Sequence, residues 1–264
     1  MSDALIFDCD GVLSDTERDG HLPAFNATFE HFGLPVHWSQ EDYAQMLAIG
    51  GGKERLGKLL TPEFIAKAGL PEDREAQHDL IAQWHREKTA RYTAMVRAGE
   101  LPPRPGIARI SAEAADAGWQ LAVASTSAEE SVRAVLEHVV GTDLARQFSV
   151  FAGDMVEHKK PAPDIYHLAI RELGIQPTQA VVVEDSANGL RAALAAGLTT
   201  VVTRSSYTIN EDFTGAALVV DSLGQLPDHP VAVVSDPHAV GVDGEVSLKN
   251  LLDLLNATSI PTFS

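Results

Sequence analysis

The sequence predicts a doubly wound α/β sheet with a helical domain inserted after the first strand. Three observations predict it. Short apolar runs punctuate the chain at Ala4–Phe7, Leu121–Ala124, Val150–Ala152, Val181–Val183, Thr200–Thr203 and Ala217–Val220. Each is apolar on both faces and ends in polar residues or Gly, as strands of a parallel sheet covered on both sides do. Between them helical spacing recurs, in Val132, Val135, Leu136, Val139 and again in Ile165, Leu168, Ala169, Leu173. Right-handed crossovers between such strands build a Rossmann-like core.

The rhythm breaks from about Arg18 to Arg104, where no strand pattern occurs. Leu22, Phe25, Phe29 and Phe32 mark one amphipathic helix there, and Leu80, Ile81 and Trp84 mark part of another. Charge follows the same division. The insert holds 11 Lys and Arg against 12 Asp and Glu, whereas the remainder holds 9 against 25. The expected domains are therefore a core of residues 1–17 and 105–226, an all-helical insert of 18–104 and an extension of 227–264. Within the extension, Asp228–Val246 is rich in Pro, Gly, Asp and His and reads as loop. Ser247 is placed to cap a final helix striped by Leu248, Leu251, Leu252 and Leu255.

Composition removes several function classes. With 20 basic and 37 acidic residues the chain carries a net charge of −17. Neutralising phosphates along a duplex needs a basic surface, so no nucleic acid is expected as partner. A polybasic membrane anchor is excluded on the same ground. The single cysteine permits no intrachain disulfide and fits a reducing compartment. No apolar run approaches the ~18 residues that span a bilayer. The opening Met-Ser-Asp-Ala-Leu-Ile-Phe lacks the basic and long apolar segments of a signal peptide. A cytoplasmic monomer acting on a small molecule is the expectation.

The chemistry gathers where the predicted strands end. Asp8 and Asp10 follow the first strand, and alternation points them to one face while Cys9 points to the other. Two carboxylates so placed repel, and a bound cation turns that cost into a site. A plain Asp-Gly turn with two solvated aspartates is the competing reading. A second pair, Glu184 and Asp185, ends the run Val181–Val183, with Asp185 or Ser186 available to cap the helix that follows. Ligands of open α/β sheets bind at strand carboxyl ends. Acids there on two strands favour all-oxygen ligation of Mg²⁺, with waters and a substrate phosphate completing the shell. Ser125, Thr126 and Ser127 end a third strand before a helix, where hydroxyls and free N–H groups bind phosphate. Ser125, nearest the strand, takes the phosphate contact, with Thr126 second. Ser127-Ala-Glu-Glu130 also reads as a capping box. Lys160 sits before Pro161 in Lys-Pro-Ala-Pro-Asp, held more rigidly than a lysine on a helix face.

In order and strand context this set resembles the four motifs of the haloacid dehalogenase-like phosphohydrolases. The set is Asp8-x-Asp10-Gly-Val-Leu, Ser125, Lys160-Pro and Glu184-Asp185, and the resemblance covers about residues 4–226. It implies that the insert is a mobile helical cap. It also implies a mechanism. Asp8 would attack phosphorus to form an aspartyl-phosphate, and Asp10 would serve as acid and then base. Ser125 and Lys160 would hold the transferring group. Asp8, the Asp10 carbonyl and Asp185 would ligate Mg²⁺, with Glu184 in support.

Further segments, Thr16-Glu17-Arg-Asp-Gly-His21, Gly51-Gly52-Lys53-Glu54-Arg55, His85-Arg86-Glu87-Lys88-Thr-Ala-Arg91 and Arg104-Pro-Gly, look like the CbbY-type branch. That branch includes phosphatases of xylulose-1,5-bisphosphate, a misfire product of Rubisco. The likeness implies a substrate site lined by Gly51, Gly52, Lys53, His85, Arg86 and Lys88. Arg55 and Arg91 are further candidate clamps for a second phosphate, and Glu17 would accept from sugar hydroxyls. For any one of these bases a plain surface role competes. Gly51-Gly52-Lys53 is not a Walker loop, since Glu54 follows the lysine and Leu47 stands where its first glycine belongs. A β-phosphoglucomutase-type isomerase and a phosphoglycolate phosphatase are the rival enzymes. The mutase carries a lysine where Ala128 stands here. A phospho-acceptor receiver module is the non-enzyme alternative, although receivers carry the acceptor on a middle strand. Cys9, Trp84 and Trp119 read as packing.

Overall fold

The computed structural model describes residues 2–47, 49, 51–153 and 155–258. The chain divides into two compact units, Met1–Asp15 with Leu101–Ser264, and Thr16–Glu100. The second unit carries α1 (Leu22–His31), α2 (Gln40–Met46), α3 (Gly52–Gly57), α4 (Pro62–Ala68) and α5 (Arg74–Arg97). The first carries β1 (Ala4–Phe7), α6 (Ile107–Asp116), β2 (Gln120–Ala124), α7 (Glu129–Val140), α8 (Thr142–Ala145) and β3 (Phe148–Phe151). It continues through α9 (Asp164–Leu173), β4 (Ala180–Glu184), α10 (Ala187–Ala195), β5 (Thr199–Thr203), β6 (Leu218–Val220), β7 (Val233–Ser235) and α11 (Leu248–Thr258).

The seven strands form one sheet in the order β3-β2-β1-β4-β5-β6-β7. The pairs from β3 to β6 are parallel, and β1, β2, β4 and β5 are almost wholly buried. This is why those strands read as continuous apolar runs rather than alternating ones. The chain winds from β1 out to β3, then returns across β1 to begin β4. The strand order thus reverses between β1 and β4, the place where doubly wound sheets open a crevice.

Two expectations for the extension need correction. Asp228–Val246 is not all loop, because β7 pairs antiparallel to β6. All three β7 residues are exposed, so no burial pattern marks them. Asp221 anchors the end of that ladder, its backbone N–H donating to Ala232 O and its Oδ1 accepting from Ala232 N–H at 2.7 Å. The final helix follows Ser247, whose hydroxyl accepts from Asn250 N–H. Its buried stripe is Leu251, Leu254 and Leu255, and Leu252 faces out. Leu254 shares the three-and-four spacing that defines the face.

The insert unit contains helices and no strand among its described residues. α1 buries Phe25 and Phe29 against Trp38 and Tyr43, with ring centroids of neighbouring pairs 4.8–6.2 Å apart. α5 buries one residue per turn, Trp84, Lys88, Tyr92 and Val96. In the core unit, the segments flanking the insert lie together. Ser14 and Pro103 form an antiparallel bridge, and Arg104 N–H donates to Leu13 O at 2.9 Å. Cys9 and Trp119 are buried, as is Trp84 of the insert. No helix of the described residues is long and apolar enough to cross a membrane.

Candidate active site

Strand register brings the predicted acids together. Phe7 is level with Val123 on one side and Val183 on the other, so the next residues, Asp8, Ala124 and Glu184, meet at the sheet's carboxyl edge. Asp8 N–H donates to Val183 O at 2.9 Å and fixes the nucleophile candidate to the end of β4. Lys160 closes the corner. Its ammonium donates to Asp8 Oδ1 at 2.7 Å, Ala124 O at 2.9 Å and Glu184 Oε1 at 2.6 Å. Those three bonds match the donor capacity of an ammonium.

Two glycines make the carboxylates fit. Gly11 has φ +78° and lies so close to Asp185 that a Cβ would overlap its carboxylate. Gly189, on the first turn of α10, would overlap the Glu184 carboxylate in the same way. Ser186 caps that helix by accepting from Gly189 N–H at 3.1 Å.

Asp8, Glu184 and Asp185 each present an oxygen within 4.8 Å of the others, and all three are buried. Burial is the main cause that lifts Asp8 from 3.8 to about 7. Lys160 pulls it back, and Glu184 and Asp10 add to the rise. Asp185 is also held well above the usual carboxylate range, first by burial and then by Glu184 and Asp8. Burial would lower the Lys160 ammonium, but Asp8 and Glu184 outweigh it and hold that group well above its ordinary value. Three crowded acids with one ammonium leave uncompensated negative charge, and an all-oxygen donor set of this kind fits a hard divalent cation.

The predicted hydroxyls divide. Ser125 is buried at the end of β2, and its Oγ accepts from Ser127 N–H at 3.2 Å. Ser127 does not cap α7, whose N-cap is Ala128 with no side-chain bond. Its hydroxyl donates to Asp10 Oδ2 instead. The expected capping box is absent because the helix begins one residue later, with Ala128 in the extended N-cap position. Thr126 is exposed.

Within the insert unit the candidate residues form two linked groups and some outliers. Tyr43 hydroxyl donates to Glu17, and Arg55 reaches both Glu17 at 3.3 Å and Tyr43 at 2.8 Å. Lys88 is buried, 2.8 Å from His21 Nδ1 and over the rings of Phe25 and Tyr92 at 4.8 and 5.2 Å. Burial, then Lys88, Arg55 and His85, push His21 well below its ordinary value, so it meets Lys88 as a neutral acceptor. His85 Cδ2 lies 3.1 Å from where a Cβ on Gly52 would sit. Gly51, at φ +95°, is the N-cap of α3. Lys53 lines a 320 Å³ groove with Glu54, His78 and Ile81. Arg86 is exposed on a separate 480 Å³ groove, and Arg91 pairs with Glu87 at 2.8 Å.

Sequence reasoning missed three participants. Tyr166 donates to Glu184 Oε1 at 2.6 Å beneath the Lys160 ammonium, which lies 4.9 Å from its ring centroid. Ser205, beside Asp185, opposes the lift on that acid. His21 anchors Lys88. The only sequence cue for Tyr166 was its place six residues after Lys160, in the first turn of α9.

The model of haloacid dehalogenase-like hydrolases matches residues 2–197. Protein CbbY of Cereibacter sphaeroides is 44% identical over 227 residues, covering 86% of this chain and 94% of that protein. A CBBY-like protein of Arabidopsis thaliana is 44% identical over 232 residues, covering 86% of this chain and 71% of its own. Among solved structures, a CbbY variant from Rhodobacter sphaeroides in complex with xylulose-(1,5)bisphosphate superposes with a TM-score of 0.70 at 43% identity. The match covers 86% of this chain and 98% of that one. With the acids, the lysine and the strand order all in place, the chain belongs to the haloacid dehalogenase-like hydrolases, in their CbbY branch.

Proposed function

We propose that this phosphatase hydrolyses a small sugar phosphate, xylulose-1,5-bisphosphate first among them, with Mg²⁺ and through an aspartyl-phosphate. The observation that carries the reading is the triple bond set of Lys160. One ammonium holds the Asp8 carboxylate, the end of β2 and Glu184 at once. The likeness to a CbbY variant solved with xylulose-(1,5)bisphosphate supports the substrate.

Asp8, with Asp185 and the Asp10 carbonyl, would hold the metal. Bound Mg²⁺ supplies positive charge for the phosphoryl oxygens and offsets repulsion between anions. At ~4 Å and an effective dielectric of ~20 each unit pair is worth about 4 kcal/mol, so both cations are needed. The chain's own residues do the rest. An Asp8 oxygen attacks phosphorus as the ester P–O bond breaks, and Asp10 gives its proton to the leaving oxygen. Water then attacks the aspartyl-phosphate and loses a proton to Asp10, which releases phosphate and restores Asp8. Ser127 orients Asp10 by its hydrogen bond. Ser125 and Lys160 hold the transferring group. Selection among sugars is assigned to Glu17, Arg55, Lys88 and their neighbours in the insert, whose buried cation suits a second phosphate.

The test is phosphate release from a panel of sugar mono- and bisphosphates with Mg²⁺. Release from xylulose-1,5-bisphosphate at the highest kcat/KM is expected. Isomerisation of a hexose phosphate without net release would overturn the reading in favour of a mutase. No release from any sugar phosphate would favour a phospho-acceptor module.

A further inference from the structure

One guanidinium gathers four backbone carbonyls behind the acidic corner. Arg104 Nη1 donates to Gly11 O and to Thr203 O at 3.1 Å, and Nη2 donates to Arg204 O at 2.8 Å and to Asp221 O. These acceptors come from the turn after β1, the end of β5 and the turn after β6. Strands of a parallel sheet leave such carbonyls without a ladder partner where they end, and buried ones must find donors. A planar fork with five N–H groups satisfies several at fixed angles, which a lysine cannot do.

Gly11 is the residue pressed against the Asp185 carboxylate. Its peptide is therefore clamped between Arg104 on one side and Asp185 on the other. Lys160 grips the Asp8 and Glu184 end of the same cluster. The clamp is itself tied to the extension, since the Asp221 side chain accepts from Ser222 N–H and Ala232 N–H at 2.7 Å each.

We propose that Arg104 is a positioning residue for the divalent cation. By joining the Gly11 turn to the ends of β5 and β6 it fixes the spacing of Asp8 and Asp185 that the metal requires. The inference rests on the reading above that these acids hold Mg²⁺. It also gives residues around Ala232 a role, as the outer anchor of the Asp221 turn.

The experiment measures Mg²⁺ binding by calorimetry, beside kcat and KM against Mg²⁺ concentration, for wild type, Arg104→Lys, Arg104→Met and Asp221→Ala. Arg104→Met is expected to weaken Mg²⁺ binding and half-activation by about tenfold or more. Arg104→Lys and Asp221→Ala should each weaken both about threefold, with the sugar-phosphate KM at saturating Mg²⁺ within twofold of wild type. Mg²⁺ affinity within twofold of wild type in the folded variants, even with a lower Tm, would overturn the proposal and leave Arg104 a brace of the fold. Should Arg104→Met fail to fold, the other two variants decide on the same criterion. Wild type that bound no Mg²⁺ would overturn the underlying reading instead.

Discussion

The core and the insert bury charge of opposite sign by different physics. In the core, carboxylates crowd at strand ends and are held by Lys160, by Arg104 behind Gly11 and by hydrogen bonds from Tyr166 and Ser127. In the insert, the ammonium of Lys88 is held by aromatic faces and a neutral His21. Ring quadrupoles and an imidazole solvate a cation without neutralising it. The core thus keeps net negative charge for a cation to answer, and the insert keeps positive charge for an anion to answer.

Three changes test that contrast, and the largest effect is expected in the core. Asp8→Asn should lower phosphate release by at least ~10⁴-fold, as loss of a covalent nucleophile does. Its stability should change in the opposite direction. Asp8 is raised to about 7 in the folded chain, so its contribution is fully present below pH ~4 and is lost as pH rises through about 7. The variant escapes that loss. Without divalent ions its Tm should exceed that of wild type by more at pH 8 than at pH 5, and a gap that shrank with pH would refute the crowding argument.

Lys160→Met comes next. It leaves Asp8 and Glu184 buried without their ammonium, a loss of about 3–5 kcal/mol. Denaturant melts should show a lower midpoint, and phosphate release should fall by ~10²–10³-fold. A variant as stable as wild type would show that the core charges are already screened.

The smallest effect belongs to the insert. Lys88→Ala should raise KM for a sugar bisphosphate about tenfold, worth about 1.4 kcal/mol, and leave monophosphates within twofold. Unchanged selectivity across the panel would remove Lys88 from substrate recognition. With His21 neutral across the physiological range, the KM contrast should stay level from pH 6 to 8.

What could be read from the sequence follows from where the information resides. The strands were visible because burial on both faces writes a continuous apolar run, and β7 was hidden because it is exposed on both faces. Asp8, Asp10 and Asp185 stood out because each follows such a run, and Lys160 because it immediately precedes a rigid proline segment. Tyr166 did not, and Arg104 did so only as part of a motif, since their partners lie 18 to 117 residues away and in Arg104's case are backbone carbonyls. No residue type announces that a carbonyl will need a donor. Ser127 misled because capping is a local rule, while its acceptor Asp10 lies 117 residues away in sequence. In the insert, Lys88 was singled out by motif, but the aromatic cage that buries it was legible only once α1 and α5 had packed.

The bridge between Ser14 and Pro103 carries a consequence for engineering and ancestry alike. The chain leaves the core unit and returns to it beside two residues paired in an isolated antiparallel bridge, about 5 Å apart. A turn of two to four residues spans that gap. The eighty-odd residues between are a detour the sheet does not need for closure, because every strand of the described residues lies outside them. Excising that detour and sealing the gap with Asn-Gly should yield a miniature whose sheet still folds.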